Sequence, residues 1–217
     1  PGAATPSVEE ELARVVPVVR HAASLGVPVS VDTSRPEVIR AALDAGADIV
    51  NDVRALQRPG ALGVVAAHPR AGVCLMHMQG EPGTMQASPV YVDIVDEVRA
   101  MLSARLQACL AAGLAAERMV LDPGFGFGKT PDHNLRLLAK QAELLELGRP
   151  LLVGWSRKST LGVITGRPVA ERLAASLAAA LASVARGARV LRVHEVAATV
   201  DALKVWQAAE RGGLAAA

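Results

Sequence analysis

The chain has 217 residues, of which 51% are apolar and 20% charged, and its formal net charge is +2. These values argue against a disordered chain and a strongly basic nucleic-acid surface, and an aromatic content of 2% is too low for base-stacking platforms. The length predicts a single domain over residues 1–217 with one large core. We expect a cytoplasmic protein that binds neither membrane nor nucleic acid, because it has two cysteines without CxxC spacing and no long uncharged stretch.

Short apolar strands alternate with amphipathic helices along the whole sequence. The predicted strands cover residues 27–31, 47–50, 73–76, 119–121, 151–153 and 189–193. The predicted helices cover residues 7–26, 36–46, 59–68 and 90–112, a segment from 131, a segment ending near 185 and a last one ending near 211. Strands that alternate with helices and lack hairpin signals predict a parallel sheet covered by helices.

Two architectures fit this alternation, an open doubly wound sheet and a closed (β/α)₈ barrel. A barrel needs eight strands, and the sequence supplies six. Either the sheet is open, or two further strand–helix units precede the given chain.

Side chains alternate between the two faces of a strand, so residues two apart share a face. The pairings predicted on this basis are Ser30 with Asp32, Ile49 with Asn51, Cys74 with Met76, Val120 with Asp122, and Val190 with Arg192 and His194. Five strands thus present a polar or polarisable group near the carboxyl end of one face. Ligands bind at that end in both architectures, so the pattern predicts an enzyme and favours a barrel mouth.

Three of these side chains, Asp32, Asn51 and Asp122, suit a ligand edge that is rich in N–H donors. The alternative is that each of them caps the helix that follows it. Their occurrence at corresponding strand ends favours the ligand.

Cationic side chains at two other strand ends predict an anion site. Lys158 lies among hydroxyls in the strand-to-helix loop 156–159, although an ordinary solvated loop would look the same. Arg192 and His194 face inward by parity, where an unpaired charge is costly. Either an anionic ligand or a salt bridge with Asp32 or Asp122 would account for them.

The segment 122–130 concentrates alternate glycines, both phenylalanines of the chain and a lysine after a buried carboxylate. It fits neither nucleotide-binding pattern, because Gly128 is one position too early for GxGxxG and Pro123 stands where a phosphate loop needs glycine. We therefore expect this loop to form part of a pocket wall. The remaining histidines show no metal-ligand spacing, and Cys74 and Cys109 are predicted to be inert core thiols.

The segments 31–34, 51–52, 75–80, 121–129, 156–159 and 192–194, taken in order, closely resemble bacterial dihydropteroate synthase. The blocks Asp-Pro-Gly-Phe-Gly-Phe-Gly-Lys and Ser-Arg-Lys-Ser are the most specific of these. The resemblance implies a (β/α)₈ barrel of the folate pathway. That family condenses 6-hydroxymethyl-7,8-dihydropterin diphosphate with p-aminobenzoate to give 7,8-dihydropteroate and pyrophosphate, with ionisation of the C–O bond before attack by the arylamine.

The resemblance also implies a role for each matching residue. Asp32, Asn51 and Asp122 would bind the polar edge of the pterin, Met76 and Arg192 would flank its ring, and Lys158 would contact both substrates. Gly126, Phe127 and Arg157 would shape the pocket, Ser159 would lie near the aminobenzoate carboxylate, and Arg192 with His194 would hold the diphosphate. The residues expected to act in catalysis are Asp32, Asp122 and Lys158.

The sequence departs from the family pattern in two places. The first two strand–helix units of the family, with their loops, have no counterpart in the given chain, and Pro1-Gly2 resembles the end of the second loop. We therefore expect a fragment with impaired activity. The family's Mg²⁺ ligand lies in that part, so we predict Mg²⁺ as cofactor but no metal ligand within this chain. The second departure is minor: Glu195 follows His194 where the family often has aspartate.

The predicted helix 169–186 is rich in alanine and apolar on nearly every face. An outer helix of a barrel normally has a polar stripe, so the C-terminal helices are predicted to pack against a second subunit, as in the homodimers of the family. Burial of this helix within the monomer is the alternative.

Two other functions fit a pterin-binding barrel. One is the pterin domain of a corrinoid-linked methyltransferase. The segment 122–130, called the glycine loop below, and the Ser-Arg-Lys-Ser block disfavour it. The other is a non-catalytic pterin- or folate-binding module.

Overall fold

The structure is a computed structural model that describes residues 6–213, so Pro1-Gly2 lies outside the described residues. Its strands are β1 (Ser30–Asp32), β2 (Ile49–Asp52), β3 (Gly72–Met76), β4 (Met119–Asp122), β5 (Leu151–Val153) and β6 (Ala188–Leu191). Its α-helices are α1 (Val8–Ala23), α2 (Pro36–Asp44), α3 (Ala61–Ala67), α4 (Ile94–Ala111), α5 (Pro131–Ala139), α6 (Ser159–Thr165), α7 (Leu173–Val184) and α8 (Val196–Arg211). Three 3₁₀ segments cover Ala116–Arg118, Gln141–Leu147 and Val169–Glu171.

The predicted alternation of strands and helices is confirmed, with corrections at the boundaries. The first strand begins at Ser30 rather than at residue 27, because its register with β2 starts at the Ser30–Ile49 pair. The predicted helix 169–186 is shorter in the structure, where α7 begins at Leu173 and the 3₁₀ turn Val169–Glu171 precedes it. Arg172 lies between the two, and its guanidinium donates to the backbone oxygens of Arg167 and Arg157.

The six strands form one parallel sheet in the sequential order β1-β2-β3-β4-β5-β6. This order lacks the reversal that defines a doubly wound sheet, which excludes that alternative. The sheet is also curled. Arg192, just after β6, contacts Asn51 on β2, whereas four strand spacings in a flat sheet would separate them by roughly 19 Å. The fold is therefore that of a (β/α)₈ barrel, represented here by six strand–helix units.

The two faces of the sheet differ as the strand parity predicts. Val31, Val50, Leu75 and Leu121 face the helices and are at most 5% exposed. The opposite face borders an interior cavity of about 710 Å³, whose lining includes Ser30, Asp32, Ile49, Asn51, Cys74, Val120, Leu152, Val190 and Arg192. The polar residues at the strand ends thus look into the barrel.

No helix within residues 6–213 combines the length and the apolar character that spanning a bilayer requires.

Candidate active site

A hydrogen-bonded network joins β1, β2 and β4 to the segment after β6 at the carboxyl end of the barrel interior. Arg192 Nη1 donates to Asn51 Oδ1 at 3.0 Å, and its Nη2 donates to Asp122 Oδ2, also at 3.0 Å. Asn51 Nδ2 donates in turn to Asp32 Oδ2 at 2.8 Å. The network thus gathers four of the predicted site residues, and it contains the salt bridge between Arg192 and Asp122 that the sequence left as an alternative.

The capping alternative for the acidic and amide side chains is excluded. The N-cap residues of α2, α3 and α5 are Arg35, Gly60 and Thr130. Asp32, Asn51 and Asp122 instead use their side-chain oxygens within the interior network.

Burial and the charge of Arg192 shift the pKa of the Asp32 carboxyl in opposite directions. Desolvation raises the pKa of its carboxyl above the usual value, while the Arg192 guanidinium and the Asn51 amide lower it. The carboxyl group of Asp122 is almost fully buried, and its second oxygen accepts from the Gly124 N–H at 2.7 Å. Asp122 therefore couples the network to the glycine loop.

The end of β2 is fixed by a turn with unusual backbone geometry. Ala55 and Leu56 both have positive φ, 49° and 57°, although neither is glycine. The Asp52 carboxylate accepts from the Leu56 N–H at 2.8 Å, and Arg105 Nε donates to Ala55 O at 2.8 Å. These contacts stabilise a turn that would otherwise be strained, directly after Asn51.

The glycines of the loop after β4 are required by close backbone contacts. A Cβ atom on Gly124 would lie 1.8 Å from His77 O, and one on Gly128 would lie 2.4 Å from Gln79 O. Both residues also have positive φ, at 69° and 60°. Only glycine lets this loop lie directly on the segment that follows β3.

The two phenylalanines of the loop have different environments. Phe125 is buried and packs on Trp155 with a centroid distance of 4.4 Å. Phe127 is partly exposed, and Lys158 Nζ lies 4.1 Å from the centroid of its ring. Phe127 therefore lies beside Lys158, where its pocket-shaping role remains a prediction, whereas Phe125 belongs to the core.

Lys158 lies at the edge of the network, and the pKa of its ammonium group is shifted. Its pKa is lowered to about 8, chiefly by burial and also by the Arg192 charge, while the Asp122 carboxylate acts in the opposite direction. A Cβ atom on Gly126 would lie 3.0 Å from Lys158 Cδ, so the glycine makes room for this side chain. Lys158, Gly126 and Phe127 together form one wall of the site.

The loop after β5 and the end of β6 form a second group. Ser156 Oγ lies 2.8 Å from His194 Nδ1, and Arg157 forms an ion pair with Glu195. Arg157 has a positive φ of 62°, and its side chain is 46% exposed. These contacts tie the β5–α6 loop to the segment that carries His194. Ser159 is exposed at the first position of α6.

Met76 does not line the cavity in this structure. Its side chain is fully buried beneath the glycine loop, where its Cγ atom lies close to Gly124. A role against the ring of a ligand remains a prediction for this residue.

Sequence reasoning missed the residues that support the glycine loop. Asn134 Oδ1 accepts from the Gly126 N–H at 2.8 Å, and Gln86 Nε2 donates to Gly126 O at 2.5 Å. Lys129 is only 3% exposed, and its Nζ atom lies 2.8 Å from His77 Nδ1. The one available signal was a lysine directly after three alternate glycines, in a segment that leads out of a buried strand.

Residues 6–213 contain no cluster of three or more His, Cys, Asp or Glu side chains that could hold a metal ion.

Comparisons with known proteins agree with this arrangement. The family described as pterin binding enzyme matches residues 1–194. Dihydropteroate synthase of Neisseria meningitidis serogroup B is 54% identical over 212 residues, which cover 95% of this chain and 74% of that protein.

Two solved structures have the same fold. Dihydropteroate synthase of Stenotrophomonas maltophilia is 56% identical with a TM-score of 0.93, and the alignment covers 96% of this chain and 79% of the other. The enzyme of Burkholderia cenocepacia, complexed with 7,8-dihydropteroate, is 52% identical with a TM-score of 0.91, over 98% of this chain and 78% of the other. The chain therefore belongs to the pterin-binding enzyme family and, within it, to the dihydropteroate synthases.

Proposed function

We propose that the chain condenses 6-hydroxymethyl-7,8-dihydropterin diphosphate with p-aminobenzoate, giving 7,8-dihydropteroate and pyrophosphate. The observation that carries this proposal is the bridge from Arg192 to Asn51 and Asp122, with Asp32 on the far side of Asn51. It sets carboxylate, amide and guanidinium groups side by side at the end of a barrel where ligands bind. The related Burkholderia cenocepacia enzyme, which holds the proposed product, supports the same assignment.

The polar edge of the pterin suits the interior network. Its ring N–H and amino groups would donate to the Asp32 and Asp122 carboxylates, and Asn51 can both donate and accept. Because Arg192 already holds Asn51 and Asp122 at 3.0 Å, these side chains are oriented before the substrate arrives. Such preorganisation lowers the cost of binding.

The arylamine is proposed to lie beside the wall formed by Gly126, Phe127 and Lys158. The Lys158 ammonium is partly buried next to an apolar ring, an arrangement that suits an aromatic carboxylate. Ser159, exposed at the start of α6, would bind the same carboxylate, and Arg157 would shape the outer rim.

The diphosphate is assigned to Arg192 and His194. Part of the Arg192 side chain, 39%, is exposed beyond its contacts with the network. We propose that Mg²⁺ enters with the diphosphate as its counter-ion, since Mg²⁺ commonly binds substrate phosphates with few protein ligands. Loss of activity on chelation with EDTA, restored by added Mg²⁺, would support this cofactor.

In the proposed reaction the bond between the pterin methylene carbon and the diphosphate oxygen breaks first. Its electron pair leaves with the diphosphate, and Asp32 and Asp122 stabilise the positive charge that develops on the pterin. The amino group of p-aminobenzoate then forms the new C–N bond and releases a proton to solvent. No strong base is required, because the arylamine attacks an already cationic carbon.

Pyrophosphate release in the presence and absence of p-aminobenzoate tests this function. We expect release that depends on p-aminobenzoate, measured on the full-length protein. Pterin binding without turnover would instead indicate a non-catalytic binding module. Methyl transfer from a methylated folate to a corrinoid would indicate the methyltransferase domain.

We also propose a homodimer formed through the C-terminal helices. Val163 and Ile164 on α6 are 68% and 55% exposed, and Val196 on α8 is 62% exposed. Leu173, the first residue of α7, is 43% exposed, so these helices present an apolar surface to solvent. Multi-angle light scattering at micromolar concentration should give the mass of a dimer, and a monomer mass would contradict the proposal.

A cytoplasmic location is proposed on the basis of the two buried free thiols, Cys74 and Cys109. Cell fractionation checks it, and recovery from an oxidising compartment would contradict it.

A further inference from the structure

We propose that Lys129 is a positioning residue, whose ammonium group fixes the glycine loop and thereby holds Phe127 against Lys158 at the arylamine side of the site. The inference rests on the proposed function, because it assigns a wall of that site to one buried side chain.

The surroundings of Lys129 supply an acceptor for every donor of an ammonium group. Its side chain carries three N–H donors. The acceptors nearest the Nζ atom are His77 Nδ1 at 2.8 Å, Gly124 O at 3.0 Å and Phe127 O at 3.1 Å, and His77 O lies farther away at 3.5 Å. The residue is only 3% exposed, so these contacts occupy all its donors and leave none for a ligand. This arrangement excludes the phosphate-binding role that the sequence Gly128-Lys129-Thr130 suggests.

The two carbonyl groups bound by Lys129 are the ends of one turn. Within that turn the Phe127 N–H donates to Gly124 O at 3.0 Å. The glycines between and after the phenylalanines carry no side chains that could anchor the loop. Lys129 therefore supplies the interaction that closes the turn from inside and sets the direction in which the Phe127 ring points toward Lys158.

His77 completes the arrangement as a neutral acceptor. Burial and the nearby Lys129 charge lower the pKa of His77 to about 3, so its imidazole is uncharged at neutral pH. An ammonium group can only donate, so the charged form of Lys129 requires Nδ1 to accept, which places the His77 proton on Nε2. Burial also lowers the pKa of Lys129 to about 7, although the Asp122 carboxylate raises it. The two side chains therefore act as one unit, and removal of either should disturb the same wall.

The test compares the KM values for the two substrates in variants of the full-length protein. Lys129→Met keeps the length of the side chain and removes its donors, while His77→Leu removes the acceptor. Each should raise KM for p-aminobenzoate about tenfold, because each removes the buried hydrogen bond that the two side chains share. KM for the pterin diphosphate should change less than threefold, because Arg192 and the Gly124 N–H still hold Asp122.

Three further variants sharpen the result. The double variant Lys129→Met/His77→Leu should lose about tenfold rather than about a hundredfold, because the two residues form one unit. His77→Asn retains an acceptor near the Nδ1 position and should remain within about threefold of the unaltered protein. Lys140→Met, at a lysine whose side chain is 56% exposed, serves as the control for loss of a positive charge.

The possible results separate a failure of the proposed function from a failure of the positioning role of Lys129. Absence of synthase activity in the unaltered protein would contradict the proposed function itself. With an active parent, equal increases in both KM values, or unchanged values, would contradict only the positioning role of Lys129. If circular dichroism shows that Lys129→Met is unfolded, the comparison of His77→Leu with His77→Asn decides: rescue by asparagine supports the inference, and equal behaviour of the two variants overturns it.

Discussion

Replacement of Asp122 by asparagine tests the central pairing of the site. The substitution preserves shape and retains one oxygen, which can still accept from the Gly124 N–H. The other position becomes an NH₂ group that faces Arg192 Nη2, where the native oxygen accepts at 3.0 Å. A donor then meets a donor in a buried environment, so Arg192 loses the partner that orients it.

The magnitude follows from the exposure of the two partners. A hydrogen bond to a charged group contributes about 1.5–3 kcal/mol to stability. The Asp122 side chain is 1% exposed, but Arg192 is 39% exposed and can regain water, so we expect the free energy of unfolding to fall by about 2 kcal/mol. The effect on catalysis should be larger, because one carboxylate opposite a developing cation is removed. A loss of about 10²- to 10³-fold in kcat/KM is expected.

Urea unfolding and steady-state kinetics measure the two effects separately. Asp201→Asn provides the matched control, since the Asp201 side chain is 78% exposed and its one ion pair within residues 6–213 is with Lys204 at 3.8 Å. That control should leave stability and kcat/KM close to the unaltered values. If Asp122→Asn retained kcat/KM within threefold, the proposed role of this carboxylate would be refuted.

Three further predictions follow from the same contacts. Gly124→Ala should lower the free energy of unfolding in urea by roughly 2–5 kcal/mol. The control is Gly113→Ala, at a similar φ of 88° but with no atom within 4 Å of the added Cβ, and it should lower the free energy by only about 1 kcal/mol. Equal losses would contradict the close packing of the loop. Because burial lowers the pKa of Lys158 to about 8, kcat/KM for p-aminobenzoate should fall as the pH rises through about 8. Lys158→Arg should shift that decline to higher pH. An unshifted decline would show that another group titrates. The pKa of His77 is about 3 in the folded protein and 6.5 for an ordinary histidine, so the stability contributed by its neutral form is present above pH 6.5 and is lost as the pH falls toward 3. In urea titrations at several pH values, His77→Asn should therefore lose less stability with acid than the unaltered protein. An identical dependence on pH would contradict the burial of a neutral His77.

Strand parity predicted most of the interior network. Alternation along each strand is a local property, so the sequence could predict that Asp32, Asn51, Asp122 and Arg192 share a face. It could not decide between a ligand and a salt bridge for Arg192, because that choice depends on how far the sheet curls. The curl brings β6 within reach of β2 and β4, and no pattern within a single strand encodes it.

The contacts that stabilise the glycine loop could not be predicted from the sequence for a similar reason. Lys129 and His77 are separated by 52 residues, and their contact depends on how the loop lies on the segment after β3. Lysine is normally a solvated residue, so its burial here is a tertiary effect that overrides composition. The start of α7 likewise coincides with tertiary contacts, because the Arg172 side chain donates to Arg157 O in the β5–α6 loop.

Labelling of the second substrate tests the condensation directly. The full-length protein is incubated with the pterin diphosphate and ¹⁵N-labelled p-aminobenzoate, and the product is analysed by mass spectrometry. We expect 7,8-dihydropteroate that carries the label, formed together with an equal amount of pyrophosphate, and a greatly reduced yield in Asp122→Asn. Pyrophosphate release without labelled dihydropteroate, or no release at all, would contradict the claim that this barrel joins the two substrates.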